Sequence, residues 1–307
     1  MAETFSLGRE SGDDGSFRRQ ESRWRLTRFD DVPVHEGRYH LYVARACPWA
    51  HRTIIVRELM GLQDAVDVSF VDPIRDDRGW GFTGDGYEDP LHGWRFLSEA
   101  YFATDPGYED RVSVPVLWDK EQHAIVCNES ADIIRLFATS FAPIASHPVE
   151  LCPGALLPEI DALNDWTYHG LNNGVYKAGF SRRQDVYEGA VRGVFEVLDG
   201  LDERLKDRRF LFGADPVETD WRVFTTLVRF DAVYNIHFKC SVRKIAEYPN
   251  LWPYLRDLFQ WPGIAETVSF DEIRAHYYRT HPMINPSGLV SVMPALDFEQ
   301  PPGREAL

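Results

Sequence analysis

Apolar positions follow two rhythms along this chain of 307 residues. In the first part they fall in short runs bounded by turn residues, the pattern of strands; in the second they return every three or four positions, the pattern of packed helices. Tyr39 to Val43 reads as a strand, Pro48 to about Met60 as a helix stopped by Gly61, and Ala65 to Val71 as a second strand rich in β-branched residues. Val112 to Asp119 reads as a third strand with proline near its start, where the missing N–H is tolerated, and His123 to Cys127 as a fourth. Asn128 then opens a helix running through Phe137, with capping-type residues at its head.

The order βαβ then ββα, with a proline entering the third strand, is that of a thioredoxin-like α/β domain, here over residues 38–141. Residues 73–93 interrupt it with a Gly- and Asp-rich insertion, and a loop this long without its own period is expected to be functional or disordered. Proline and small residues over 142–154 predict a linker. Beyond it Val191, Val194, Phe195, Leu198, Leu201 and Leu205 share one helical face, and Trp221 to Val228 continues the pattern, so residues 155–275 are expected to be all-helical. Residues 276–307 form a C-terminal segment. Residues 1–37 carry charge and glycine without a sustained period and read as a surface extension, docked through Phe17 and Trp24.

Charge narrows the range of partners. A formal net charge of −15 argues against nucleic acid and anionic membrane, because both are polyanions. No apolar run approaches the ~20 residues that span a bilayer, and Met1 to Glu10 is polar and acidic where a signal peptide would be basic and then apolar. The four cysteines, Cys47, Cys127, Cys152 and Cys240, have neither disulfide-framework nor zinc spacing. A reducing cytoplasm is the expected compartment, and no metal site is expected.

Cys47 carries the candidate chemistry. Unpaired cysteines are most often small buried apolar residues. Cys47 instead stands where a strand ends and a helix begins, and the unpartnered N–H groups of a first helical turn favour a thiolate. Pro48 suits the first helical position, and Arg45 and Arg52 lie close enough in sequence to add to the effect. Ala50 occupies the place where a Cys-x-x-Cys motif has its second cysteine, so no internal disulfide resolves a mixed disulfide at Cys47. An external thiol must do so, and glutathione is the abundant one.

The chain resembles cytosolic glutathione transferases, and specifically the glutathionyl-hydroquinone reductases, also called the Xi class. The likeness covers nearly the whole sequence. It rests on Cys47-Pro48-Trp49-Ala50, Val114-Pro115-Val116-Leu117-Trp118-Asp119 and Asn128-Glu129-Ser130. In the helical half it rests on Asn172 to Phe180, Leu227 to Asp231, His237 to Cys240, Tyr248 to Trp252, His276-Tyr277-Tyr278 with His281, and Ile284-Asn285-Pro286. The resemblance implies that Cys47 attacks the glutathione sulfur of a glutathionyl-hydroquinone and holds glutathione as a mixed disulfide. A second glutathione then frees the enzyme as oxidised glutathione. Glutathione is thus a co-substrate, no cofactor is bound permanently, and a homodimer is implied.

Residue roles follow. Glu129 and Ser130 stand at a helix head, where a carboxylate pairs with an amine and hydroxyl and N–H groups hold a carboxylate; the resemblance makes them the site for the γ-glutamyl end of glutathione. It also makes Pro115 a cis proline, freeing the backbone of Val114 to pair with the cysteinyl part like an added strand. It makes Trp80 a glutathione contact on the inserted loop, and Arg111 is placed to reach a glutathione carboxylate. Tyr176, Tyr277 and Tyr278 are assigned to the hydroquinone, with Tyr176 and Tyr278 preferred as the acting hydroxyls. Spacing alone would leave these tyrosines as packing residues. His51 follows Cys47 by one helical turn and reads as structural, while His276 and His281 lack metal-site spacing.

The same cysteine and glutathione pocket would also serve an omega-like thioltransferase or dehydroascorbate reductase, or a glutathione-binding scaffold without catalysis. Two positions depart from the family pattern. Val217 stands where Thr or Ser usually caps a core helix, so that helix is expected to start differently or to lose ~1 kcal/mol. Ser291 replaces a proline near the tail.

Overall fold

The computed structural model describes residues 12–307, so the reading of Met1 to Glu10 lies outside the described residues. These residues form two compact units: Gln20–Glu150, and Leu151–Leu307 together with residues 12–19. The extension therefore divides between the units at residues 19 and 20, and the linker divides at 150 and 151.

The first unit contains β1 (Tyr39–Val43), α1 (Pro48–Leu59), β2 (Val66–Phe70), α2 (Ser98–Thr104), β3 (Val116–Asp119), β4 (Ala124–Cys127) and α3 (Ser130–Ala138). Its four-stranded sheet has the order β2-β1-β3-β4, with β1 and β2 parallel across the α1 crossover and the other pairs antiparallel. Every residue of β1 is buried, which is why that strand reads as a continuous apolar run rather than an alternating one. Its one polar member, His40, meets the Ser69 hydroxyl at 2.9 Å, and burial lowers its pKa to about 4.

Three local features depart from the sequence reading. The third strand begins at Val116 rather than Val112, because the Val114–Pro115 peptide is cis and Pro115 has no N–H for the ladder. The fourth begins at Ala124, because His123 closes the preceding turn with a φ of 52°. Helix α2 has no counterpart in the sequence reading. It is short, yet it buries Ala100 and Tyr101, and Glu99 satisfies its head by accepting from the N–H groups of Arg95 (2.8 Å) and Phe96 (3.0 Å).

The insertion is ordered around one buried carboxylate. Asp89 accepts from the Tyr42 hydroxyl at 2.9 Å and from the N–H groups of Leu91, His92 and Trp94 at 3.1 Å each. Trp94 then packs edge-on against Trp118 of β3, with ring centres 5.2 Å apart.

The second unit contains α4 (Leu157–Thr167), α5 (Gly174–Gly179), α6 (Gln184–Arg204), α7 (Glu218–Arg229), α8 (Leu251–Phe259) and α9 (Phe270–Thr280), with π-helical turns at Tyr168–Asn172 and Phe230–Tyr234. The face read from the sequence is buried on α6, and α7 is buried along its whole length. Helix α9 runs through residue 276 without a break, so the C-terminal segment begins inside a helix. No helix among the described residues is long and apolar enough to cross a membrane.

Val217 does stand at the N-cap of α7, and the carboxylate three residues on keeps its half of the cap: Asp220 Oδ2 accepts from Val217 N at 2.9 Å. A hydroxyl on residue 217 would restore the other half. Val217→Thr is expected to stabilise the protein by about 0.5–1 kcal/mol in urea unfolding; no gain would mean that burying the hydroxyl offsets the cap.

Candidate active site

Cys47 is the N-cap of α1, with Pro48 at the first helical position. Its backbone is held at both ends: Cys47 N donates to Ala44 O (3.1 Å), and His51 N donates to Cys47 O (2.9 Å). The thiol, half-buried, lies 3.7 Å from the carbonyl oxygen of Val114, the residue before the cis proline. Strand end, helix head and cis turn thus converge on one sulfur. Arg45 lies 3.6 Å from the Phe70 ring centre and Arg52 4.5 Å from that of Trp49, while His51 is fully buried. The other cysteines sit differently. Burial pushes the thiols of Cys127 and Cys240 up to about 12, and the Cys152 thiol donates to Glu218 at 3.1 Å.

Glu129 and Ser130 meet at the head of α3. Glu129 Oε1 accepts from Ala131 N at 3.1 Å and from the Ser130 hydroxyl at 3.4 Å, so the carboxylate caps the helix. Its other oxygen accepts from the Ser22 hydroxyl at 2.9 Å. The segment carrying Ser22 is fastened to the same corner: Trp24 N donates to Asn128 Oδ1 and Asn128 N donates to Trp24 O, each at 3.0 Å, and Arg25 forks onto Asp132 at 2.6 and 3.1 Å. Ser22 had no sequence signal, since nothing in an aperiodic extension says which helix head it reaches. Trp24 does dock, against Tyr101 and Tyr108.

Trp80 is 4% exposed, its carbonyl accepting from Leu97 N at 2.9 Å and the Arg75 guanidinium 5.6 Å from its ring centre. Arg111 is half-buried; its N–H donates to Gln20 at 3.0 Å and its carbonyl accepts from the Tyr108 hydroxyl at 2.8 Å.

In the helical unit the tyrosines cluster around α5. The Tyr176 hydroxyl lies 2.5 Å from that of Tyr277, which in turn lies 2.9 Å from that of Tyr234. Tyr278 is next in sequence but points elsewhere, donating to the Ala232 carbonyl at 3.2 Å. Burial raises the pKa of both Tyr277 and Tyr234 well above the ordinary phenol value. Phe238 packs edge-on to Tyr176 with ring centres 5.4 Å apart, and Gly179 makes room for it: a Cβ there would fall 2.2 Å from the Phe238 ring. From the extension, Phe17 stacks on Phe180 and Tyr176, while the Arg19 guanidinium lies 4.7 Å from the Tyr176 ring centre and its Nε donates to Asn173 at 2.8 Å.

His237 and His281 face each other at 3.1 Å beside these rings, and burial lowers the His237 pKa to about 4. No group of three or more His, Cys, Asp or Glu residues among those described could hold a metal ion. Other residues of the helical-half motifs are architectural. Asp231 accepts from the N–H groups of Ile245 and Ala246, and Asn250 with Leu251 is held by Asp202 at the head of α8.

Residues 46–140 match the family described as Glutathione S-transferase, N-terminal domain, and residues 184–257 that described as Glutathione S-transferase, C-terminal domain. The glutathionyl-hydroquinone reductase YqjG of Escherichia coli is 50% identical over 276 residues, 89% of this chain and 84% of that protein. Its glutathione-bound structure superposes with a TM-score of 0.87, covering 89% of this chain and 90% of the other. The glutathionyl-hydroquinone reductase PcpF of Sphingobium chlorophenolicum is 43% identical, covering 92% and 90% of the two chains. A Xi class glutathione transferase from Natrialba magadii has a TM-score of 0.89 at 47% identity, with 96% of each chain covered.

Proposed function

The chain belongs to the Xi class of glutathione transferases, and from that premise we propose that it reduces glutathionyl-hydroquinones to hydroquinones with glutathione as co-substrate. The observation that carries the reading is the single thiol of Cys47, set at the head of α1 beside the Val114 carbonyl with Ala50 in place of a resolving cysteine. The Cys47 thiolate attacks the glutathione sulfur and the sulfur to aryl carbon bond breaks. The electron pair goes to the ring carbon, which takes a proton to become C–H. Glutathione stays on Cys47 as a mixed disulfide until a second glutathione attacks it, giving oxidised glutathione and the free thiolate.

In this reading Val114 pairs with the cysteinyl backbone of glutathione, while Glu129 and Ser130 hold its γ-glutamyl end. Trp80 and Arg111 complete the contacts. The aromatic ring is served by Tyr176 and Tyr277, with Tyr176 as proton donor. Tyr277 replaces Tyr278 as its partner, because the Tyr277 hydroxyl pairs with Tyr176 whereas that of Tyr278 is committed to Ala232. Quinone metabolism in a reducing cytoplasm, by a homodimer, completes the proposal.

The test mixes a synthetic glutathionyl-hydroquinone with glutathione and follows both products. Hydroquinone and oxidised glutathione in equal amounts support the reading. A well-folded protein that reduces mixed disulfides of glutathione but leaves the aromatic thioether intact would be an omega-like thioltransferase instead.

A second measurement addresses the glutathione pocket. Glu129→Gln removes the charge that would pair with the glutathione amine but keeps an oxygen to cap α3. It is expected to raise the KM for glutathione about tenfold with little change in melting temperature. An unchanged KM would leave Glu129 as a helix cap alone.

A further inference from the structure

Ser22 lies in the stretch before the first strand, and its hydroxyl reaches the carboxylate assigned above to the γ-glutamyl end of glutathione. It lies 2.9 Å from Glu129 Oε2 and 3.2 Å from the Asn128 carbonyl oxygen. Carboxylate and carbonyl oxygens only accept, so the Ser22 hydroxyl is the donor to both, and the carboxylate is the nearer. The two oxygens of Glu129 are used differently. Oε1 accepts from Ala131 N at 3.1 Å and from the Ser130 hydroxyl at 3.4 Å, which commits it to the head of α3. Oε2 accepts from Ser22 and, among the described residues, from no other donor. A carboxylate offers about four lone-pair directions, so Oε2 is the oxygen with one left for an amine. The last torsion of a glutamate is intrinsically broad, and donors on Oε1 alone would leave the group able to turn about that oxygen. The Ser22 hydroxyl on Oε2 fixes its plane. Ser22 is itself held in place: besides the Trp24 and Asn128 pair, Leu26 N and the Arg25 fork both reach Asp132, which stands on α3 three residues after Glu129.

We propose that Ser22 is a positioning residue for the glutathionyl part of the substrate, holding Glu129 Oε2 in the orientation in which it pairs with the γ-glutamyl amine. This rests on the reading that Glu129 takes that amine. A charge-assisted hydrogen bond between an ammonium and a carboxylate is strong and short, and a carboxylate already fixed in place gives up less freedom when the ligand arrives. The gain falls on binding and not on the bond-breaking step, because the amine takes no part in the chemistry at Cys47. The segment before the first strand is in this way part of the glutathione site, through one hydroxyl, although it carries none of the motifs on which the family resemblance rests.

The test titrates the full chain with S-methylglutathione, which cannot form a disulfide with Cys47, and with the same compound lacking the γ-glutamyl amine. Ser22→Ala is expected to weaken binding of S-methylglutathione about fivefold and to leave binding of the compound without the amine unchanged. Its kcat for a glutathionyl-hydroquinone is expected to stay within about twofold of wild type while KM rises. Ser22→Thr keeps the hydroxyl and is expected to bind both compounds as wild type does. If Ser22→Ala weakens both by the same factor, Ser22 only docks its segment and the proposal is overturned. Glu129→Gln, titrated with the same pair, separates the proposal from the reading beneath it. If Glu129→Gln loses the preference for the amine and Ser22→Ala keeps it in full, the positioning role is wrong and the assignment of Glu129 stands. If the wild-type protein binds the two compounds equally, the assignment of Glu129 fails and the role of Ser22 falls with it.

Discussion

Cys47→Ala is expected to lower kcat/KM for glutathionyl-hydroquinone reduction at least about 10³-fold, because the mixed disulfide has no other sulfur on which to form. The remaining cysteines are poor substitutes. Cys127 and Cys240 are buried with their thiols pushed up to about 12, and the thiol of Cys152 is hydrogen-bonded to Glu218. Stability is expected to change little. What Cys47 gives the fold is mainly backbone, the bonds to Ala44 and His51 at the head of α1, and alanine retains both. Its side chain is half-buried, with the sulfur 3.7 Å from the Val114 carbonyl oxygen. Steady-state kinetics with a thermal melt of each protein checks both halves of the expectation. Substantial turnover by the alanine variant would place the chemistry on another group.

The largest expected loss of stability comes from Asp220→Ala, at about 3–5 kcal/mol. Asp220 is fully buried near the start of α7 and accepts from Val217 N (2.9 Å), Leu211 N (3.0 Å) and the Tyr254 hydroxyl (2.8 Å). Alanine would orphan all of these donors at once. Burial also raises this carboxyl to about 6 from its model-peptide value of 3.8, so between those two pH values the native state holds a proton that the unfolded chain releases. Its contribution to stability is therefore present below about pH 4 and declines as pH rises towards 6. Urea unfolding of wild type and Asp220→Asn across that interval tests the sign: the variant is expected to lose the decline. An identical pH dependence in both proteins would mean that Asp220 does not titrate there.

Much of the architecture was legible because its signals are local. Tyr39 to Val43 is apolar but for His40 since both faces of β1 are covered, and the α6 stripe from Val191 to Leu201 is buried as its spacing implies. The placement of Cys47 was legible for the same reason: strand, Cys-Pro and helix follow one another within a few residues, so the sequence order is already the geometry. Helix α2 was not, because seven residues offer too little period and much of its head is satisfied by Glu99 reaching back to backbone that a sequence reading treats as loop.

The sequence by itself determined the alternation of elements, the place of Cys47 at a helix head and, through its motifs, the family. Only the tertiary structure decided which tyrosine faces Tyr176. Tyr277 and Tyr278 are adjacent residues on α9 and equivalent in composition, but successive residues on a helix point about 100° apart. The neighbours on the second unit's other elements therefore choose between them: Tyr234 and Tyr176 receive Tyr277, and Ala232 receives Tyr278. It likewise decided that Ser22 meets Glu129, a contact across more than a hundred residues of chain that no period records. Hydrophobic periodicity specifies which face of an element is buried; the hydrogen-bond partners of a buried hydroxyl depend on what packs against that face, and that is settled only when distant segments meet.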